Sequence, residues 1–390
     1  MKFNFKRLFK KYKSGNNVSF VKSGEEYFNL LKKIIREAQH KIHFQTYILD
    51  DDSTGRMVVD ELINAKERGV EVYLLIDSYG SRNLSKNFPK KIIDLGIHFR
   101  YFAPVITSKG FCLGRRLHQK IVVIDSKIAL IGGINIADRY MGTADKKPWL
   151  DFALLVGGKI CEDISNICDG FWERKFLNKR IKNNIKKLDN KIYPLLRIRQ
   201  NDWIREKNQI SRSYKNAFRN AEKYITIVGA YFLPSRKLRH LLKKAVERGV
   251  KVKVILSKKS DERIFQLAMD YLYRWMHKNN IEIYEYYPSV VHGKAAVVDD
   301  TWLTIGSHDL NFLSTYGLIE MNIDVVDSDL AKQFNSYLEN IIKNECIKVT
   351  KEHLEKRWFF ERFLSWMTYV LVRISEWFLI FLIRNDEYHE

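Results

Sequence analysis

The apolar and polar positions of the chain fall into alternating strand-like and helix-like stretches. From Asn17 to about Phe176 a helix is expected to open at Ser23-Gly-Glu-Glu26, which has the form of a capping box, and to run to about Ala38. Strand-like content follows at 41–49. A helix over about 54–68 stops at Gly69, and a buried strand covers 70–77. A helix near 88–95, a strand near 97–103 and a β-hairpin over 117–133 complete this half.

The same order then recurs. The stretch 221–233 parallels the early strand, and AVERGVKVKVIL (245–256) parallels AKERGVEVYLLI (65–76) at an offset of 180 residues. A second hairpin over 290–307 parallels the first at an offset of 174. One helix–glycine–strand match could arise by chance, but two in order at nearly one offset indicate a duplication and pseudo-twofold packing. The expected fold is therefore α/β, with two tandem repeats and mixed, largely parallel sheets flanked by helices. The expected divisions are a basic amphipathic segment over 1–16, repeats over 17–180 and 181–350, and a C-terminal helical segment over 351–390.

Composition narrows the class. The 390 residues are 46% hydrophobic and 13% aromatic, which excludes a disordered chain. A formal net charge of +21 draws the protein to polyanions, either nucleic acid or an anionic membrane surface. Between the repeats, 174–199 carries ten Lys/Arg against the single acid Asp189, and this run reads as a linker, a solvated helix or an anion-facing surface. The four cysteines form no C-x-x-C pair, so neither a zinc site nor a disulfide framework is expected. Cys161 and Cys168 read as small buried residues of one helix face. The start lacks a continuous apolar core of a secretory signal, and no run of about 18 uncharged apolar residues exists to span a bilayer.

The candidate chemistry lies in the hairpins. His118 and Lys120, two apart on an expected strand, share a face, and Asp125, Gly132, Gly133 and Asn135 follow. His292 and Lys294 repeat the spacing, followed by Asp299, Gly306 and Ser307. One H-x-K carries almost no information, whereas H-x-K-x4-D-x6-G-[GS] twice in a duplicated chain is specific. Parity turns Asp125 and Asp299 away from the histidines, and both stand where hairpin turns favour aspartate, so they read as supporting groups rather than catalytic acids. Two histidines and two lysines suit phosphodiester chemistry without a metal. A neutral imidazole attacks phosphorus, a protonated one serves the departing oxygen, and the lysines hold the non-bridging oxygens. Asn135 can add a hydrogen bond. Each histidine needs a carboxylate on its second nitrogen, and Asp151 and Glu320, each opening the strand after its hairpin, are the candidates.

The duplicated motif resembles the phospholipase D superfamily. HGKAAVVDDTWLTIGSHDLNFLS with the following Glu320 is similar to bacterial cardiolipin synthases of the short form that lacks N-terminal transmembrane helices. The resemblance covers roughly 17–345. It implies a phosphatidyl-histidine intermediate and transesterification between two phospholipids, without a cofactor. It also implies His118 as nucleophile, His292 as acid and then base, and Lys120, Lys294 and Asn135 as phosphate ligands. The family counts Asp125 and Asp299 with its motif. The chain departs from the family at Asp309, where the second G-S-x-N usually ends in Asn; Asn311 stands nearby. Anionic phospholipids such as phosphatidylglycerol and cardiolipin are the implied partners. The implied location is the cytoplasmic side of a bacterial inner membrane.

The chain ends favour lipid over nucleic acid. Phe5, Leu8, Phe9 and Tyr12 lie at i, i+3, i+4 and i+7 among six basic residues, as in a membrane-surface helix. Between Trp358 and Glu376 the polar residues Glu361, Arg362, Ser365, Thr368, Arg373 and Glu376 fall on one arc. Phe359, Phe363, Trp366, Val370, Ile374 and Trp377 fall on the other. That pattern suits an interfacial helix, or a core helix packed on the repeats. Three functional classes follow: a phosphatidyltransferase making cardiolipin, a hydrolase of the same superfamily acting on phospholipid or nucleic acid, and a non-catalytic binder. Intact histidines and lysines in both copies argue against the last.

Overall fold

A computed structural model of the chain describes residues 12–104, 106–107, 110–111, 115–174, 194–202, 207–355 and 359–387. The helix expected around Phe5, Leu8 and Phe9, Cys112 and most of the basic run 174–199 lie outside them.

The first half comprises β1 (Asn16–Lys22), α1 (Glu25–Glu37), β2 (Lys41–Thr46), α2 (Ser53–Glu67), β3 (Glu71–Asp77), α3 (Phe88–Asp94) and β4 (His98–Phe102). After a small hairpin, β5 (Ile106–Thr107) and β6 (Gly110–Phe111), come β7 (Arg116–Leu117), β8 (Lys120–Ile124), β9 (Ile128–Gly132), α4 (Asp138–Met141), β10 (Phe152–Gly158) and α5 (Ile160–Trp172). The second half repeats the plan with β11 (Leu195–Asp202), β12 (Lys207–Asn208), α6 (Gln209–Asn220), β13 (Tyr224–Val228), α7 (Arg236–Glu247), β14 (Lys251–Ser257), α8 (Arg263–Lys278) and β15 (Glu282–Tyr286). It continues with β16 (Ala295–Val298), β17 (Trp302–Gly306), α9 (Phe312–Tyr316), β18 (Leu318–Val326), α10 (Ser328–Glu345) and β19 (Cys346–Lys348), then α11 (Lys351–Glu355) and α12 (Phe359–Glu387).

The first sheet has the order β1-β10-β9-β8-β2-β3-β4, and the second carries the equivalent path β11-β18-β17-β16-β13-β14-β15. Along these two paths β2-β3-β4 and β13-β14-β15 pair in parallel and the other neighbours are antiparallel; off the path, β7 pairs in parallel with β18. The expectation of largely parallel sheets is thus corrected to mixed, mainly antiparallel ones. Helical crossovers impose parallel pairing only around α2, α3, α7 and α8, whereas each H-x-K hairpin and the strand after it add antiparallel strands. The inner faces of the sheets meet in one core, where Ile121, Phe152 and Leu154 pack with Val297, Ile305 and Met321. Cys161 and Cys168 of α5 lie buried in that core. The outer faces are covered by α1 and α2 on one sheet and by α6, α7 and α8 on the other.

Local features depart from the expected pattern in two places. Ser23 does not cap α1: its hydroxyl donates to the Trp149 carbonyl, and Gly24, at φ 91°, takes the cap position. Residues 12–16 are not a separate segment. The Lys13 backbone bridges to Leu196 in both directions, and Tyr12 is buried against Leu195 and Val326.

The long helix α12 rests on α8 and α9 with its polar arc inward. Ser365, Thr368 and Glu376 are buried, while Phe363, Trp366, Ile374, Trp377 and Phe378 are exposed. The Arg373 guanidinium lies over Phe312, and Glu376 accepts from the Leu313 amide at 3.4 Å. No helix among the described residues is long and apolar enough to cross a membrane.

Candidate active site

Each hairpin turn is held by its aspartate. Asp125 and Ser126 have φ of 51° and 54°, and Asp299 and Asp300 have 53° and 48°. The Lys127 amide donates to the Ile124 carbonyl and the Thr301 amide to the Val298 carbonyl, closing four-residue turns whose two central residues take these positive angles, which cost energy for residues other than glycine. The Asp125 carboxylate offsets that cost by accepting from the amides of Gln39, His40 and Lys41 at 2.8–2.9 Å. Asp299 does the same for Glu222, Lys223 and Tyr224 at 2.7–2.8 Å. Their grouping with the catalytic residues is therefore corrected. Both carboxylates are committed to backbone at the turn end of the hairpins, away from the histidines, as parity required.

The other end of the hairpins forms the site. β8 starts at Lys120, so His118 lies just before the strand rather than on it. The two halves exchange backbone pairing here. The His118 amide donates to the Ile319 carbonyl at 3.0 Å, and the His292 and Gly293 amides both donate to the Leu150 carbonyl at 2.8 Å. Ile319 and Leu150 directly precede Glu320 and Asp151, so each half delivers its carboxylate to the histidine of the other. His118 Nδ1 lies 3.0 Å from Glu320 Oε1, and His292 Nδ1 lies 2.7 Å from Asp151 Oδ2. This leaves Nε2 of each ring available to a substrate.

The glycines of the motif make room for this. A Cβ on Gly133 would stand 2.4 Å from Asp151 Oδ1. At the equivalent Ser307 the partner is the longer Glu320, and the serine hydroxyl donates to Glu320 Oε2. Ser307 thus orients a carboxylate.

Lys120 Nζ donates to the His118 carbonyl at 2.6 Å, and Lys294 Nζ lies 3.1 Å from His292 Nδ1 and 3.6 Å from Asp309 Oδ2. Asn135 Oδ1 accepts from the Ile48 amide at 3.1 Å, and its Nδ2 donates to the Tyr140 hydroxyl at 2.8 Å. Asp309 mirrors it, with Oδ1 3.4 Å from the Tyr231 amide. Asn311 does not take its place, because its side-chain oxygen caps α9 by accepting from the Ser314 amide at 2.8 Å.

All these groups are buried, which sets their protonation. Burial, aided by the lysine charges, holds both imidazoles well below their usual value. Burial also raises Asp151 and Glu320 to about 7 and lowers Lys120 to about 7. Each histidine–carboxylate pair therefore shares protons as a unit near neutral pH.

His118 and His292 line one cleft of about 660 Å³. Its walls also contain residues outside the two motifs. Tyr47 packs on His118 with ring centroids 5.0 Å apart, and Tyr140 and Trp149 pack on His292 at 5.2 and 5.9 Å. Arg116, also in the cleft wall, shares the even parity of His118 and Lys120, a signal that could have flagged it; the aromatic residues carry no such signal. Among the described residues no cluster of three or more His, Cys, Asp or Glu could hold a metal ion.

The family model described as "Cardiolipin synthase, PLD-like domain" matches residues 31–146 and 214–342. Cardiolipin synthase B of Escherichia coli K12 is 32% identical over 353 residues, covering 89% of this chain and 85% of that protein. A minor cardiolipin synthase of Bacillus subtilis is 26% identical, covering 93% and 90%. Among solved structures, the phosphatidylserine synthase of Haemophilus influenzae superposes with a TM-score of 0.74 at 14% identity, covering 98% of this chain and 97% of that one, a likeness of fold. The two segments matched by the family model carry the two H-x-K hairpins that meet in this cleft, and the chain belongs to the cardiolipin synthase family of phospholipase D-like proteins.

Proposed function

We propose that this phosphatidyltransferase joins two phosphatidylglycerol molecules into cardiolipin and glycerol. One observation carries the reading: two H-x-K half-sites share a single cleft, each histidine backed by a buried carboxylate from the opposite repeat. His118 Nε2 attacks phosphorus, the bond from phosphorus to the glycerol oxygen breaks, and His292 gives that oxygen its proton. The primary hydroxyl of the second phosphatidylglycerol then gives its proton to His292 and attacks phosphorus. The phosphorus–nitrogen bond breaks and His118 is released. Glu320 and Asp151 hold the Nδ1 protons and offset the positive charge on each ring. Lys120 and Lys294 face the non-bridging oxygens as charge gathers there.

The substrate lies in a bilayer, and the exposed aromatic face of α12 suits one. Its polar arc is already occupied by α8 and α9, so Trp366, Ile374 and Trp377 are left for acyl chains. The net charge of +21 adds attraction to an anionic surface. The cytoplasmic face of the inner membrane is the side we assign. The test is to incubate purified protein with phosphatidylglycerol vesicles and identify products by mass spectrometry. Cardiolipin with glycerol is expected; phosphatidic acid alone would make the protein a hydrolase.

A further inference from the structure

The cleft walls differ in charge. The wall from the first repeat carries Arg82, Arg116 and Arg139, and the wall from the second carries Asp261, Glu262 and Asp309. Arg139 is neutralised by Asp50 at 2.6 Å. Arg116 also has a carboxylate near it, Asp77 at 3.9 Å, but it shares an aromatic surface with Arg82. Their guanidinium carbons lie 4.8 and 5.7 Å from the ring centre of Tyr79, which is 48% exposed at the cleft rim. Two like charges are thus gathered on one aromatic shelf.

Neighbouring groups fix that shelf. Buried Asp77 accepts from the amides of Tyr79, Gly80 and Leu117 at 2.8–3.0 Å, tying the loop after β3 to β7. Arg116 donates to the Ala103 carbonyl at 2.6 Å and stands 3.9 Å from Asp77. Among the described residues Arg82 donates a long 3.3 Å bond to the Tyr79 carbonyl, and it is exposed, so its fork can turn to an incoming anion.

The reaction proposed above brings two phosphates into this cleft. The reacting one lies between the histidines and lysines. The second belongs to the acceptor lipid and is tied to the attacking oxygen by a three-carbon glycerol bridge, so it must bind nearby. The acidic wall repels it, and the lysines are already engaged. We propose that Arg82 and Arg116, shelved on Tyr79, bind the phosphodiester of the acceptor phospholipid, and that this contact favours transfer to a lipid over transfer to water or a free alcohol. The proposal rests on the transferase reading and adds the acceptor's binding site.

The experiment uses the full chain on phosphatidylglycerol vesicles with labelled free glycerol in the medium. Glycerol exchange into phosphatidylglycerol passes through the same intermediate but needs no second phosphate; cardiolipin formation needs one. In Arg82→Gln the ratio of cardiolipin formed to glycerol exchanged is expected to fall about tenfold, the size of a lost charge-assisted hydrogen bond. Arg82→Lys keeps the charge and is expected to recover part of the ratio. Because both products come from the same bound enzyme, weaker vesicle binding or partial misfolding cannot change the ratio. An unchanged ratio in Arg82→Gln overturns the subsite. A wild-type protein that exchanges glycerol and makes cardiolipin leaves the transferase reading intact whatever the variant does. One that makes only phosphatidic acid removes that reading and the subsite together.

Discussion

Replacing Glu320 by glutamine isolates the charge that backs His118. The side chain is fully buried, with Oε1 3.0 Å from His118 Nδ1 and Oε2 accepting from the Ser307 hydroxyl. Glutamine keeps the shape. Its carbonyl can accept from Nδ1, and the serine hydroxyl can turn to accept from its amide. The loss is the attraction to the positive ring formed with the phosphatidyl intermediate. Two unit charges about 4 Å apart at an effective dielectric near 20 attract by about 4 kcal/mol. A retained neutral hydrogen bond restores about 1 kcal/mol of this. The remaining loss of about 3 kcal/mol lowers the rate by about 10². If the amide nitrogen faces Nδ1, the imidazole is held in the wrong tautomer and the fall is larger, about 10⁴.

The pH profile provides a second readout. Burial raises Glu320 to about 7, so in the proposed mechanism the pair takes up an additional proton as pH falls through that value and attack by His118 is expected to fail. Without the carboxylate, the buried ring resists protonation and the acid limb moves to lower pH. The assay is cardiolipin formation on phosphatidylglycerol vesicles across pH, with circular dichroism to confirm folding. A folded variant that keeps a third or more of the wild-type rate with the same acid limb would refute the charge argument.

Three further outcomes are expected. With a donor whose leaving group needs no acid, His292→Ala should still trap a phosphatidyl adduct and His118→Ala should trap none; mass spectrometry of the intact protein reads this, and the reverse result exchanges the roles. Trp366→Glu with Trp377→Glu, on the exposed face of α12, should weaken sedimentation with anionic vesicles about tenfold or more, since each residue forfeits its apolar burial of roughly 1.5–3 kcal/mol, while short-chain soluble substrates are turned over nearly as before. His43 and His308 are held near 4 by burial, below the usual 6.5, so the unfolded chain binds their protons first. Their stabilisation is complete above pH 6.5 and is lost as pH falls towards 4, at about 1.4 kcal/mol per pH unit for each histidine. The buried carboxylates Asp151 and Glu320, raised to about 7, act in the opposite direction over the same window, so the test is made ring by ring: proton NMR of His43 and His308 follows each titration, and a ring that titrates near 6.5 would count against burial of its neutral form.

Much of this protein is legible without coordinates. The repeated offset, the strand and helix order, the paired H-x-K motifs and the choice of Asp151 and Glu320 all follow from local spacing, because period and parity are properties of neighbouring residues. Parity and the turn position together point Asp125 and Asp299 away from the histidines, and their carboxylates bond to backbone amides at the turns. Tertiary structure decided what depends on distant pairing. Strand direction is invisible to periodicity, so the sheets turned out mainly antiparallel. Which carboxylate serves which histidine depends on Leu150 and Ile319 crossing between the repeats, contacts made over 140 and 200 residues of chain. The aromatic packing on the histidines and the meeting of Arg82 and Arg116 on Tyr79 join residues that are distant in sequence, and parity marks Arg116 alone among them. The α12 pattern identified an apolar and a polar arc, but amphipathicity does not say which faces the protein. There the polar arc turned inward, because α8 and α9 offer partners for Tyr369, Arg373 and Glu376, and the aromatic arc was left outside.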